Sequence, residues 1–157
     1  MKKLKPNGDE FRTPPRLYRA LDAEFHFRLD AACTSSNKLA PRGLARDLGY
    51  NGLLEPWAPG PVFCNPPYSD LPTWTRRARL FERETVVMVL PSDPSTGWWH
   101  REVAAGASEI RFLQGRVWFR SAEGKELGRS FFRGTAIVIF DSRPGPPIHS
   151  YIELPRR

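Results

Sequence analysis

Two runs of consecutive apolar residues dominate the pattern of this chain, at positions 86–90 and 136–140. Both runs are too short for a typical helix and show no alternation, as expected of strands that are buried on both faces of a sheet. A third apolar run, at 61–64, ends in Asn-Pro-Pro. Neither proline can continue a strand, because each lacks an N–H and fixes φ near about −65°. The pattern therefore predicts two core strands and a third that turns rigidly out of the sheet.

Other segments alternate between apolar and polar residues. Residues 27–32 alternate and then become small, as expected of a strand that ends where another group approaches closely. Residues 109–113 and 116–119 predict two paired strands joined by a turn at 114–115. After a proline-rich turn, residues 148–154 predict an edge strand.

Helical spacing of apolar residues follows Thr13-Pro14-Pro15 and continues to Phe25. It predicts a helix with Thr13 as its N-cap and proline at its first positions. Further helices are predicted at 71–83 and from 98 to 105. The alternation of strands with helices favours an α/β three-layer sandwich.

The stretch from 38 to 60 shows no clear period. It is rich in Gly, Pro and Arg, and its one apolar segment is at 53–54. With 157 residues, the chain is predicted to form one domain over residues 1–157, with a flexible start at 1–10 and no separate recognition domain. This single domain is then expected to bind all of the protein's ligands.

The Asn-Pro-Pro-Tyr corner at 65–68 carries the groups needed to hold an amino group. Asn65 Oδ1 and the Pro66 carbonyl are two acceptors that can face one exocyclic NH2. Pro67 fixes the turn, and Tyr68 offers a flat face for a base taken out of a DNA helix. The corner predicts a pocket for an aminopurine or an aminopyrimidine.

This corner resembles the catalytic motif of amino-directed methyltransferases that use S-adenosylmethionine. The surrounding sequence is similar to the small phage and prophage DNA N6-adenine methyltransferases of the Dam type. The resemblance extends over most of the chain and includes, in the family's order, residues 11–15, 25–32, 65–68, 86–91 and 109–119. It implies an abridged class I, Rossmann-like methyltransferase fold.

The resemblance also implies base flipping and methyl transfer from S-adenosylmethionine to N6 of adenine in DNA, without a metal. Asn65 Oδ1 and the Pro66 carbonyl would accept from the two amino N–H bonds and aim the nitrogen lone pair, so that catalysis is positioning plus electrostatic stabilisation. The predicted catalytic residues are Asn65, Pro66, Pro67 and Tyr68. The phage-like resemblance suggests protection from restriction, as in restriction-modification systems, and leaves a regulatory role open.

The cofactor contacts implied by the resemblance are Thr13, Pro14, Asp30, Ala31, Ala32 and Asn65. In these enzymes a Thr-Pro pair lies against the methionine end of the cofactor, and the Leu-Asp-Ala-Ala segment at 29–32 is similar to the first cofactor-binding motif. Asp30 can accept a hydrogen bond from a cofactor hydroxyl or ammonium group, or it can cap a turn. The chain departs from the family pattern at 33–37, where many methyltransferases have Gly-x-Gly.

Two acidic residues are candidates for the ribose or adenine of the cofactor, Asp47 and Glu55. The sequence does not decide between them. Trp57 follows Glu55 closely, and we expect it to pack in the core rather than to stack on a ligand.

The charge balance favours a polyanionic partner, since 24 basic and 17 acidic residues give a formal net charge of +7. Without a recognition domain, the basic segment 116–133 is the expected DNA-facing surface, because phosphate contacts and an aromatic ring assist base extrusion. The predicted DNA-binding residues are Arg116, Trp118, Lys125 and Arg129.

Cys33 and Cys64 provide neither a disulfide framework nor a metal site, and they fit buried thiols in a reducing compartment. No apolar run approaches the ~20 residues that span a bilayer, so we expect a cytoplasmic protein. Three alternatives to adenine methylation are N4-cytosine methylation, methylation of protein glutamine, and DNA binding by an inactive relative. The sequence leaves the target site and the oligomeric state open.

Overall fold

The described residues form a seven-stranded sheet with helices on both of its faces. A computed structural model of the chain describes residues 9, 11–121, 123–125 and 134–154. The strands are β1 (Leu29–Cys33), β2 (Arg42–Ala45), β3 (Val62–Cys64), β4 (Val86–Pro91), β5 (Glu109–Leu113), β6 (Thr135–Phe140) and β7 (Ile148–Ile152). The helices are α1 (Pro15–Phe25), α2 (Leu71–Leu80) and a π helix (Trp99–Ala104), with 3-10 turns at Arg46–Leu48 and Tyr68–Asp70.

The strand order is β2-β1-β3-β4-β6-β5-β7, and β6 alone runs antiparallel to its neighbours. β1 pairs in parallel with β2 on one side and with β3 on the other. After β1 the chain forms β2 on one side of β1, and it then returns to form β3 on the other side. In open α/β sheets such a reversal opens a crevice outside the carboxyl ends of the strands, where ligands bind. The topology places that crevice at the ends of β1 and β3.

Two apolar cores lie on opposite faces of the sheet. α1 packs Leu17 and its neighbours against one face, which includes Phe63 and Val87. α2 and the π helix pack against the other face, where Trp74 joins a cluster with Met88. Successive side chains of a strand point to opposite faces, so β4 and β6, whose residues are all buried, serve both cores. The two continuous apolar runs are thus confirmed as central strands, and the mixed α/β prediction is confirmed with them.

Ion pairs connect the helices to their surroundings. Arg111 of β5 donates to both carboxylate oxygens of Glu24 in α1, at 2.6 and 2.7 Å, and to Glu109 at 2.7 Å. The hydrogen bonds from Arg111 lower the pKa of Glu24. Arg79 of α2 donates to Glu102 of the π helix at 2.8 Å. These pairs fix α1 to the sheet and α2 to the π helix.

The predicted pairing of 109–113 with 116–119 is wrong. β5 already has β6 on one edge and β7 on the other, so a further strand has no edge to pair with. Residues 116–119 form no strand, and Arg120 instead makes an isolated antiparallel bridge with Arg12. The predicted edge strand near 148–154 is confirmed as β7, at the edge of the sheet.

The prediction of Thr13 as a helix cap is also wrong. α1 begins at Pro15, its N-cap is Pro14, and the cap makes no side-chain hydrogen bond. The Thr13 hydroxyl instead accepts from Asn65 Nδ2. The stretch 38–60, predicted to be irregular, contains β2, an edge strand with only two buried residues and hence a weak apolar signal. Among the described residues, no helix has the length and apolar character required to cross a bilayer.

Candidate active site

Asn65 stands directly after β3, at the crevice that the topology defines. Its Nδ2 donates to the Phe11 carbonyl at 2.9 Å and to Thr13 Oγ1 at 3.0 Å. These two bonds fix the orientation of the amide. Oδ1 is buried and accepts no hydrogen bond from any described residue. A buried polar atom without a partner costs about 1–3 kcal/mol, so this corner holds an acceptor that an incoming donor would satisfy.

Two cavities meet at Asn65. The first has a volume of about 350 Å³ and extends past the ends of β1 and β2 to Tyr50, Asn51 and Trp74. The second, of about 220 Å³, extends towards Thr13 and the Asp30 carboxylate. Four residues line both cavities: Arg12, Ala32, Asn37 and Asn65. The catalytic corner predicted from sequence is therefore a wall that two adjoining spaces share.

Small residues make room for the first cavity. A Cβ on Gly52 would lie 2.1 Å from the Ala31 carbonyl oxygen and 2.6 Å from the Trp74 ring, so only glycine allows this loop to approach β1 so closely. The indole N–H of Trp57 donates to the Gly52 carbonyl at 2.7 Å. Trp57 is completely buried, which confirms that it packs in the core.

Asp30 is buried near the start of β1, and both of its carboxylate oxygens accept backbone hydrogen bonds. Oδ1 accepts from the Ala32 N–H at 3.3 Å, and Oδ2 accepts from the Leu39 N–H at 3.1 Å. Burial raises the pKa of Asp30 to about 6, and the two backbone bonds oppose that rise. Asp30 thus closes the loop after β1 while it also lines the second cavity.

The loop at 33–37, where the family pattern has glycines, is shaped by polar side chains. Asp47 accepts from the Ser35 N–H at 2.8 Å and from the Ser35 hydroxyl. These bonds lower the pKa of Asp47. The Asn37 side chain accepts from the Thr34 N–H at 2.6 Å. Neither Asp47 nor Glu55, the two acidic candidates for the cofactor, lines either cavity.

The Tyr68 ring belongs to an aromatic cluster beside the corner. It meets Phe11 edge-on at a centroid distance of 5.8 Å and Phe119 at 6.3 Å. The residue is half-buried, and burial of the hydroxyl raises the pKa of Tyr68 well above its ordinary value. Pro66 is buried behind the corner, and Pro67 lines the first cavity. The cluster joins the Asn-Pro-Pro-Tyr corner to the segment at 116–120.

The structure brings together most of the predicted cofactor residues. Ala31, Ala32 and Asn65 line the first cavity, and Thr13, Asp30, Ala32 and Asn65 line the second. Pro14 lines neither of them and lies instead in a separate groove with Arg116 and Trp118. Lys125 is exposed and is not among the residues that line this groove, and Arg129 lies outside the described residues.

The sequence analysis missed Arg12, Arg46 and Tyr50 as cavity residues. Arg12 had a usable signal, because it lies inside the similar segment 11–15. Arg46 and Tyr50 follow β2, whose own signal is weak. In the part of the chain that the structure describes, no cluster of three or more His, Cys, Asp or Glu residues is placed to hold a metal ion.

Comparison with known proteins places the chain in a family. No curated protein matches the chain. The model of a protein family, described as DNA N-6-adenine-methyltransferase (Dam), matches residues 1–155 of the 157. The match includes the Asn65 corner, both cavities and the whole described sheet, so the resemblance seen in the sequence is confirmed. The chain belongs to the DNA N-6-adenine-methyltransferase (Dam) family, whose description implies methylation of adenine N6 in DNA.

Proposed function

We propose that this protein transfers the methyl group of S-adenosylmethionine to N6 of an adenine flipped out of DNA. The family gives the reaction class. A sheet with a strand-order reversal at β1 and helices on both faces supports an abridged class I, Rossmann-like, three-layer fold. We propose one domain that binds both substrates, since the two cavities share the Asn65 wall.

The observation that carries the proposal is the free acceptor of Asn65. Its Nδ2 is held by Phe11 and Thr13, and its Oδ1 accepts no bond from the described residues. An adenine amino group has two N–H donors and a lone pair delocalised into the ring. Acceptance of one N–H by Oδ1 and of the other by the Pro66 carbonyl would draw that lone pair onto nitrogen. Fixed dipoles of this kind stabilise charge that develops in a transition state.

Access to Asn65 Oδ1 requires a local movement. The atom is closed off from solvent, so an amino group reaches it only when neighbouring side chains shift. Tyr68 is half-buried, and its ring packs edge-on against Phe11 and Phe119. We propose that the arriving base displaces part of this aromatic cluster and stacks on Tyr68.

The residues at the crevice fit S-adenosylmethionine. A cavity of about 350 Å³ is within the range of small-molecule sites, roughly 300–1,000 Å³. Ala31 and Ala32 permit close approach, and Arg46, Tyr50 and Asn51 lie on the β2 side, away from Asn65, where the adenosine part would bind. Arg12 lies beside Asn65 and offers a cation for the cofactor's carboxylate. When bound, the cofactor supplies an electrophilic methyl group on its sulfonium.

Adenine is favoured over cytosine as the target. Enzymes that methylate cytosine N4 more often have serine at the position of Asn65, and the family that matches is an adenine family. Protection of DNA from restriction in a phage or prophage setting stays a prediction from the resemblance.

The test is to incubate the purified protein with S-adenosylmethionine and unmethylated DNA, then quantify methylated nucleosides by mass spectrometry. We expect N6-methyladenine from the wild type and from Arg76→Gln, a variant at an exposed position of α2 that lines neither cavity, but not from Asn65→Ala. Methylcytosine as the product would replace adenine with cytosine as target. No methylated nucleoside from the wild type would contradict the proposal.

A further inference from the structure

A third cavity, away from Asn65, carries a concentrated positive charge. It has a volume of about 370 Å³ and lies between the start of α1 and the segment at 116–120. Four arginines line it, Arg16, Arg19, Arg116 and Arg120, and the described lining contains no carboxylate. None of these four side chains forms an ion pair with a described residue. We call this cavity the arginine groove.

The groove is assembled from two unrelated elements. Arg16 and Arg19 are three residues apart on α1 and therefore share one side of the helix. In the extended segment, Arg116, Trp118 and Arg120 are exposed at alternate positions, whereas Phe119 is buried. The positive end of the α1 dipole also lies at this groove, because Pro15 begins the helix and lines it.

Trp118 gives the groove an aromatic surface, since 40% of this residue is exposed. An exposed indole among arginines is the usual composition of sites that hold a nucleic-acid strand, in which arginines contact phosphates and the ring stacks on a base.

The groove is physically connected to the catalytic corner. The Arg12 N–H donates to the Arg120 carbonyl at 2.8 Å, and the Arg120 N–H donates to the Arg12 carbonyl at 3.0 Å. Arg12 is flanked by Phe11 and Thr13, which hold the Asn65 amide. The Phe119 ring stacks on Phe11 at 5.7 Å. A DNA strand bound in the groove would contact Arg120, whose backbone pairs with Arg12. Arg12 is the sequence neighbour of both groups that orient the Asn65 amide.

We infer that the arginine groove binds the DNA strand next to the target adenine, with Arg16, Arg19, Arg116 and Arg120 on its phosphates and Trp118 stacked on a neighbouring unpaired base. The inference rests on the proposed DNA substrate. It adds α1 to the DNA-binding surface and makes the bridge between Arg12 and Arg120 the link between DNA binding and the catalytic corner.

The salt dependence of DNA binding tests the phosphate contacts. Each contact contributes a slope of about 0.9 to the fall of log affinity with log salt. We expect Arg16→Gln/Arg19→Gln to lower the slope by about two and to weaken binding about tenfold at moderate salt, by fluorescence anisotropy with a labelled duplex. The matched control is Arg76→Gln/Arg83→Gln, which removes the same charge from exposed positions in and after α2, on the other face of the sheet. Equal effects of the two pairs, or no effect of the first, would overturn the inference.

Two substitutions at one position test the stacking. Trp118→Phe keeps an aromatic face and is expected to bind DNA nearly as well as the wild type, whereas Trp118→Leu is expected to lose about tenfold in affinity. Equal DNA affinities of the two variants would show that no base stacks on Trp118.

Product analysis separates this inference from the proposed function. N6-methyladenine from the wild type, with no special effect of the Arg16 and Arg19 pair, would overturn the groove and leave the function standing. DNA binding that depends on the groove, without any methylated product, would overturn the proposed function and leave the groove standing. A wild-type protein that does not bind DNA would overturn both.

Discussion

Asp30, the second residue of β1, and Asn65, directly after β3, belong to neighbouring parallel strands and line the same cavity, yet their hydrogen bonding differs. Both Asp30 oxygens accept backbone N–H groups, one from Ala32 within β1 and one from Leu39 in the loop that follows β1. Asn65 has a fully used Nδ2 and an Oδ1 that no described residue satisfies. A position beside the same cavity is therefore common to a group that stabilises a loop and a group that has an acceptor left for a ligand. The two groups differ in whether every polar side-chain atom has a hydrogen-bond partner among the described residues.

The largest expected effect of breaking this contrast is on catalysis at Asn65. Replacement by alanine removes the acceptor, and we expect kcat to fall about a thousandfold, the scale seen when a fixed transition-state dipole is removed. The free energy of unfolding should change by less than about 1 kcal/mol, because the loss of two Nδ2 bonds is offset by the loss of an unsatisfied acceptor. Single-turnover kinetics and urea denaturation measure the two quantities. A stability loss as large as the catalytic one would assign Asn65 a structural role.

Replacement of Asp30 is expected to have the opposite consequence. It should lower the free energy of unfolding by an amount that depends on pH, and it should affect the reaction little. Its folded-state pKa is raised to about 6 from an ordinary value near 3.8, so the folded protein favours the neutral acid. The stabilisation from Asp30 is full below about pH 4 and is lost as the pH rises through 6. Asparagine does not titrate in this range. The stability difference between wild type and Asp30→Asn should therefore narrow, on the order of 2 kcal/mol, between pH 4 and pH 7.5.

Urea denaturation at pH 4, 6 and 7.5 measures this difference. The control is Asn65→Ala, which keeps Asp30, so its stability difference from the wild type should not change with pH. The Asp30→Asn variant should keep its KM for S-adenosylmethionine within about threefold, since both carboxylate oxygens already accept backbone N–H groups. A pH-independent difference together with a strongly raised KM would instead support Asp30 as a direct cofactor contact, as the sequence resemblance implies.

The sequence predicts well those parts of the fold whose signal is local. β4 and β6 are buried on both faces, so every position is apolar and the strand is visible in a short window. β2 lies at the sheet edge and has only two buried residues, so it shows no apolar run that a short window of sequence could reveal. The false hairpin at 109–119 has the opposite cause. Its alternation is real, but β6 and β7 come from later in the chain and occupy both edges of β5.

The same distinction holds at the site. The Asn65 corner is predictable because its chemistry lies in four consecutive residues. The roles of Thr13 and Asp30 depend on partners elsewhere: the Thr13 hydroxyl serves Asn65, 52 residues away, rather than the helix beside it. Sequence pattern places such residues near the site but does not show which atoms remain available to a ligand.

Arg12 sharpens the comparison, because it resembles Asn65 in having incomplete local partners. Its guanidinium donates to Ser36 Oγ at 3.0 Å and forms no ion pair with a described residue. A hydrogen bond from Ser121 and, at longer range, the charge of Arg12 lower the pKa of Glu123, but Glu123 makes no ion pair with Arg12. Arg12 lines both cavities beside Asn65, so under the proposed function it is a cation placed for the amino-acid end of the cofactor.

Two ligands that differ only in that end test the role of Arg12 and give the smallest of the expected effects. We expect Arg12→Gln to bind S-adenosylhomocysteine about fivefold more weakly, on the order of 1 kcal/mol, because a half-exposed charged pair is lost. Binding of 5′-methylthioadenosine, which lacks the amino-acid group, should be unchanged in calorimetry. Arg46→Gln, on the β2 side of the cavity, is the matched control and should weaken both ligands equally. Equal losses for the two ligands in Arg12→Gln would show that Arg12 shapes the cavity without contacting the carboxylate. The comparison with Asn65, whose Oδ1 has no partner among the described residues, would then not extend to Arg12.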